Sequence, residues 1–242
     1  MPNWTENKVI FRSAEAMSAF WDKYIDSGKG ELFNKILPAP YTFISKYDPD
    51  TKKKEQFCVA KKGVDVDSKY VEKNGRFDWY NWNCDNWGTK WDKEVSDVYQ
   101  DSDEVITFST AWSPPYPILI KLAKEFGGLK VMYDDEGLCY PTTGLDINAD
   151  GEYNEYELST EFHINDLDQY GIGGAEEVAE WRLGSDASKK DIEKLKKVAE
   201  KDHAKMEKFL EDDAWCFSLN APETYDDIND RIKRQIKRQR MK

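Results

Sequence analysis

Residues 105–133 read Val-Ile-Thr-Phe-Ser-Thr-Ala-Trp-Ser-Pro-Pro-Tyr-Pro-Ile-Leu-Ile-Lys-Leu-Ala-Lys-Glu-Phe-Gly-Gly-Leu-Lys-Val-Met-Tyr, and three periodicities follow one another within them. From Val105 to Trp112, Ile106, Phe108, Thr110 and Trp112 alternate with Val105, Thr107, Ser109 and Ala111, the period of two that marks a strand with a buried face. Pro114, Pro115 and Pro117 introduce a helix, because a proline in the first turn removes only an N–H that has no partner there. Ile118, Leu119, Leu122, Ala123 and Phe126 fall on one helical stripe, and Gly127-Gly128 ends it. Leu129, Val131 and Tyr133 then return to the period of two. The stretch is a β-α-β unit.

An upstream segment repeats the logic. Residues 7–12 are short and β-branched, Ser13 is a helix N-cap, and Met17, Phe20, Trp21 and Tyr24 recur on one face until Ser27-Gly28-Lys29-Gly30 stops the helix. Residues 32–37 read as the returning strand, ended by Pro38-Ala39-Pro40. A lysine- and aspartate-rich insertion at about 41–76 carries one short strand near residues 57–60, and a tryptophan-rich loop occupies 79–92. Downstream, residues 137–140 and 153–158 extend the sheet through the Asp150-Gly151 turn. The order matches the split βαβ pattern of a ferredoxin-like α+β sandwich, an antiparallel sheet with helices on one face. This domain is expected over 1–165, followed by a helical C-terminal extension over 166–242. That extension holds a short candidate helix at 175–182 and a long one opened by Ser188 and Asp191. Ile192, Leu195, Val198, Ala199, Met206, Phe209 and Leu210 share a face of the long helix and are expected to pack on the sheet domain.

The chain has 242 residues with 35 Lys+Arg against 47 Asp+Glu, a net charge of −12. Its 39% hydrophobic and 14% aromatic content exceeds that of a disordered acidic chain, and no run approaches the roughly 18 apolar residues of a membrane helix. With neither a charged leader nor an apolar stretch at the start, the expectation is a cytoplasmic protein. Cys58, Cys84, Cys139 and Cys216 show no metal spacing and are expected to be reduced thiols. The two histidines, His163 and His203, lie on different segments. Gly-x-Gly-x-x-Gly, phosphate-loop and His-Glu-x-x-His motifs are absent, so the expectation is a protein that is not an enzyme and needs no cofactor.

Four stretches occur together in this order: Met1-Pro2-Asn3-Trp4, Phe33-Asn34-Lys35-Ile36-Leu37-Pro38-Ala39-Pro40, Asn86-Trp87-Gly88-Thr89-Lys90-Trp91-Asp92, and residues 107–115, Thr-Phe-Ser-Thr-Ala-Trp-Ser-Pro-Pro. In this combination the chain resembles the YubB-like proteins of plasmids and bacteriophages over roughly residues 1–160. The resemblance implies a ferredoxin-like domain and a mobile-element origin in a bacterial host. It carries no activity and no catalytic residue with it.

Three constellations are candidates for function. Trp82, Trp87, Trp91 and Trp112 either form an aromatic surface for a protein partner or stacked bases, or fold back as a second small core. Residues 146–157 match the twelve-residue calcium loop, with Asp146, Asn148, Asp150, Glu152 and Glu157 bearing oxygen ligands and Gly151 at the sharp turn. The preceding Pro141-Thr142-Thr143-Gly144 fits no entering helix, and Asp150-Gly151 serves equally as a hairpin turn, so calcium is a candidate but not the favoured reading. Finally, residues 231–242 hold seven basic side chains, Arg231, Arg234, Lys237 and Arg238 among them, and no acid, leaving a net charge of −19 on the rest. Such an arm binds phosphates, or docks on its own acidic body or a twin subunit. The expectation that follows is an accessory protein acting by binding a host or defence protein through an acidic surface. The alternative is a nucleic-acid-binding module using the sheet, the tryptophans and the basic tail.

Overall fold

The β-α-β unit closes around a strand that arrives from the other end of the chain. A computed structural model describes residues 3–26, 28–48, 52–136, 142–159 and 188–211. Its strands are β1 (Trp4–Phe11), β2 (Tyr41–Asp48), β3 (Lys53–Ala60), β4 (Tyr99–Gln100), β5 (Val105–Ala111), β6 (Leu129–Asp135), β7 (Thr142–Ile147) and β8 (Tyr153–Ser159). Its helices are α1 (Ala14–Phe20), α2 (Leu32–Ile36), α3 (Trp79–Asn86), α4 (Tyr116–Phe126) and α5 (Lys189–Glu211). β1 pairs antiparallel with both β5 and β6, so those two run parallel to each other and α4 is the crossover that joins them over β1. β4 pairs antiparallel with β5 and is therefore parallel to β1, with β5 between them. Two split βαβ units interleave, which is the ferredoxin-like arrangement. The full order is β4-β5-β1-β6-β7-β8, the last two strands extending the sheet beyond the interleaved four.

Local chemistry explains the elements. Ser13 caps α1 by accepting the Ala16 N–H at 3.2 Å, and the helix runs on as a π-helical turn over Trp21–Ile25. Phe11, Phe20, Tyr24 and Phe126 meet ring against ring between α1, α4 and the sheet, with centroids 5.1–6.3 Å apart. Gly127 at φ 84° closes α4 in the left-handed region.

The structure corrects four expectations. Residues 32–37 are not a strand: Leu32–Ile36 is a helix, because its N–H groups find a carboxylate far away in sequence, as described below. The returning strand of the first unit is instead the two-residue β4. The insertion holds a two-stranded hairpin, β2 with β3, rather than one short strand. The tryptophan-rich segment begins with α3, whose first turn is capped by Asp78 accepting the Asn81 N–H at 3.1 Å. The strand expected at 137–140, the helix expected at 175–182 and the basic tail lie outside the described residues.

The second face of the sheet is covered where β6, β7 and β8 lie. Leu195, Val198, Ala199, Met206 and Phe209 of α5 pack on Ile10, Met132, Tyr156 and Leu158, so α5 lies opposite α1 and α4 rather than on their face. The side chain of Lys130, 4% exposed, donates its ammonium to the carbonyls of Phe209 (2.7 Å) and Leu210 (3.3 Å). A cation there satisfies orphan carbonyls and the negative end of the helix at once. Gly144 makes the approach close enough: a Cβ there would meet two ring carbons of Phe209 at 2.9 Å. Gly144→Val is therefore expected to cost about 1–3 kcal/mol by overpacking and to loosen α5 first. Amide exchange in residues 189–211 should accelerate while β1 and β5 keep their protection. Uniform acceleration across the sheet would show that α5 is not a separable layer.

Candidate functional site: an aromatic junction

The four stretches quoted for the resemblance meet in space. Gly88, at φ 80°, lies against the Pro114–Pro117 turn so tightly that a Cβ would stand 2.8 Å from Pro117 Cδ, 3.0 Å from Tyr116 N and 3.3 Å from Pro114 O. Two hydroxyls lock the approach, Ser113 donating to Gly88 O at 2.6 Å and Thr89 donating to Ala111 O at 2.8 Å. The N-terminal stretch enters through Asn3, whose carbonyl accepts the Trp112 N–H at 2.9 Å, and through Trp4, which rests on Trp91 with centroids 6.0 Å apart. The 33–40 stretch enters through Leu37, whose carbonyl accepts the indole N–H of Trp87 at 3.0 Å.

Asp92 ties α2 to this junction. One carboxylate oxygen accepts the N–H groups of Phe33 and Lys93, both at 2.7 Å, and the other accepts that of Asn34 at 2.9 Å. Orphan donors of the first helical turn are thereby satisfied by a side chain that no local pattern reveals. The Asp92 carboxyl is pushed up to about 6, chiefly by burial with a smaller push from the Glu31 carboxylate, against the three N–H donors that pull it down.

The tryptophans divide. Trp82 and Trp87 are buried, at 7% and 2% exposure, and meet edge to face at 5.4 Å, so they belong to the core and are corrected as partner-binding residues. Trp91, 38% exposed, stacks on half-buried Trp112 at 6.4 Å and 27°. Trp4, also 38% exposed, and half-buried Tyr80, whose ring meets Trp112 at 6.3 Å, complete the surface group. The run continues through Trp79 to Phe43 on the β2–β3 hairpin, so that six rings follow one another at spacings of 5.9–6.4 Å. Lys90 stands among three of them. Its Nζ lies 4.4 Å from the Trp91 centroid, 5.0 Å from Trp112 and 5.9 Å from Tyr80. Each such contact contributes about 0.5–1 kcal/mol at an exposed site.

Trp112 has φ 69°, a left-handed conformation that a bulky side chain avoids. The strand that ends at Ala111 turns there, and the turn aims the indole out to Trp91 and Tyr80 instead of continuing the alternation of β5. Strain of this kind persists only where the surroundings enforce it.

The calcium pattern folds as a hairpin. Asp146 lies in β7, 5% exposed and ion-paired with Arg12, and Glu157 lies in β8. Asn148 is committed to the turn, its side-chain oxygen accepting the N–H groups of Asp150 and Glu152 at 2.9 Å. Strands flank the loop where a calcium loop of the helix-loop-helix type needs helices, so the segment takes the hairpin turn that Asp150-Gly151 offered. Among the described residues no group of three or more His, Cys, Asp or Glu side chains is placed to hold a metal. Arg231, Arg234, Lys237 and Arg238 lie outside the described residues. Trp4, Tyr80 and Lys90 are site residues that sequence reasoning missed, although Trp4 and Lys90 stand inside the quoted stretches.

Interleaved βαβ units with an aromatic junction at one end of β1 define a ferredoxin-like domain that presents rings to solvent. Residues 86–180 match a family described as a ferredoxin-like domain in Api92-like protein. That match takes in β4 to β8 and α4, and half of the junction with them. Neither a curated protein nor a solved structure matches the chain. Among the described residues, no helix is long and apolar enough to cross a membrane.

Two predictions follow from the geometry. At an ordinary strand position Ala is the better residue than Gly, but at Trp112 the order should invert, with Trp112→Gly about 1 kcal/mol more stable than Trp112→Ala; equal stabilities by urea unfolding would deny the strain. For Asp92, the folded carboxyl holds its proton up to about 6 whereas the unfolded one releases it near 3.8. This contribution to stability is full below the lower value and is lost as pH rises through the upper one. Asp92→Asn should therefore cost more stability at pH 4.5 than at pH 7, and the reverse order would mean that the native state prefers the ionised carboxylate.

Proposed function

We propose that the protein is a non-enzymatic binding module that captures a basic protein partner. In the mobile-element setting implied by the YubB-like resemblance, that partner is a host or defence protein. The observation that carries the reading is the Trp4–Trp91–Trp112 group, with Trp4 and Trp91 exposed and Trp112 half-buried, since tryptophan and tyrosine are enriched among the few residues that dominate interface energy. Charge supports it. Glu94, Asp97, Asp101, Asp103 and Glu104 are all exposed along the β4 edge of the sheet, with Tyr99 62% exposed among them. Asp101, Asp103 and Glu104 lie by the N-terminal end of β5, about 25 Å from Trp112 at roughly 3.3 Å per residue, whereas Glu94 is three residues from Trp91. The acidic edge thus runs from beside the rings along the sheet, within the span of one interface of ordinary size. An acidic edge of this kind attracts a basic protein and repels nucleic acid.

The ring spacing gives the second reading its own support, because successive aromatic faces beside a lysine also suit a single strand of nucleic acid. Capture from bacterial lysate by the intact protein, with and without nuclease, separates the two. The expected result is a stoichiometric protein that survives nuclease and is retained at least tenfold less by Trp4→Ala/Trp91→Ala. Nucleic acid that disappears with added salt, with no protein retained, would overturn the proposal.

A further inference from the structure

Lys90 is a cation in a chain rich in carboxylates, yet among the described residues no carboxylate pairs with it. Its ammonium is held by ring faces: Trp91 at 4.4 Å, Trp112 at 5.0 Å and Tyr80 at 5.9 Å. The other described lysines with ring contacts are anchored differently. Lys23 pairs with Glu125, Lys69 with Asp85 at 3.3 Å, and Lys130 with two helix carbonyls. A three-ring group that holds an ammonium without a counter-ion is a receptor for cations in general, and its present occupant is tethered by a long, flexible stem.

The walls are more firmly fixed than the occupant. The backbone N–H of Trp112 is bonded to Asn3 O at 2.9 Å, and its left-handed backbone commits the indole to face outward. Position 91 stands between Lys90 and the Asp92 clamp on α2, and Tyr80 is in the first turn of the capped helix α3. Thr89, the residue before Lys90, is locked to Ala111. The Lys90 backbone is pinned too, its carbonyl accepting the Asn83 side-chain N–H at 2.8 Å, and among the described residues no hydrogen bond or ion pair holds its ammonium beyond the ring contacts. The cage thus has walls tied by backbone and capping bonds and a cation carried on a rotatable four-carbon stem.

We propose that the Tyr80–Trp91–Trp112 cage receives an arginine side chain of the partner protein, which displaces the Lys90 ammonium. This deepens the binding reading above and rests on it. Guanidinium is the chemistry favoured over a second ammonium. It is planar, it stacks on indole faces, and it gives up its hydration more readily than an ammonium does. The acidic body selects for a partner that carries such side chains. Lys90 then has a definite role: it keeps the rings covered in the free protein and sets a threshold that a lysine-bearing partner does not cross.

The test uses the full chain, with the indole N–H resonances of Trp91 and Trp112 as readout and N-acetyl-arginine amide as probe. N-acetyl-citrulline amide, the same shape without the charge, is the control. With Lys90→Ala the arginine probe should shift both indoles saturably, at least fivefold more tightly than in the wild-type protein, and the citrulline probe should shift neither. Lys90→Arg should bind the probe no better than wild type, because its own guanidinium refills the cage. Equal response to arginine and citrulline, or no saturable shift in Lys90→Ala, overturns the proposal. The amide spectrum of the variant away from the cage must first match that of the wild-type protein, and should Lys90→Ala fail that check, Lys90→Met carries the same expectation. If the probe fails while Trp4→Ala/Trp91→Ala still loses the captured protein, the cage falls and the binding reading stands.

Discussion

Gly88 has no side chain, and the closeness that this permits organises the end of the domain where the rings lie. Its Cα sits where even a methyl group would run into Pro117 and the Tyr116 backbone. At that separation Ser113 donates to the Gly88 carbonyl and Thr89 to the Ala111 carbonyl across the gap, and Trp91 and Trp112 reach each other. The prolines make the other side equally unyielding, since each fixes its own φ. One backbone approach thus holds the C-terminal end of β5, the start of α4 and the turn after α3 in a single register.

From that contact the architecture extends in two directions. Toward the core, Trp87 inserts behind Gly88, bonds Leu37 and lies against Phe33, so that α2 is held by the indole as well as by Asp92. Toward solvent, the same turn displays Lys90 and Trp91. One buried and one displayed tryptophan flank Gly88, so a single short segment contributes to the core and to the surface at once. In the proposed binding reading, a surface tied down in this way in the free protein loses less entropy on binding than one made of mobile loops.

The parts of this fold that were legible in the sequence are those whose causes are local. Residues 105–133 declare strand, helix and strand through their own periodicity and their own glycine and proline stops, and Ser13 announces α1 in the same way. Residues 32–37 do not. Their apolar alternation favours a strand, and the acceptor that makes them a helix is a carboxylate 59 residues from Phe33. β4 is two residues long and exists only because β5 offers it an edge. The β2–β3 hairpin is set by cross-strand partners such as Phe43 with Cys58 and Ile44 with Phe57, within a segment whose composition reads as exposed loop. The tryptophans could be counted but not sorted, since burial of Trp87 and display of Trp91 depend on the Gly88 turn between them.

Contact between the displayed rings and a protein is the central event of the proposed function. A photo-reactive phenylalanine analogue placed at position 91 of the full chain, with another at Leu210 on the exposed side of α5 for comparison, reads this directly in bacterial host lysate. The account predicts one defined, nuclease-resistant protein adduct from position 91 and none from position 210. No adduct from position 91, or the same set of adducts from both positions, would contradict it.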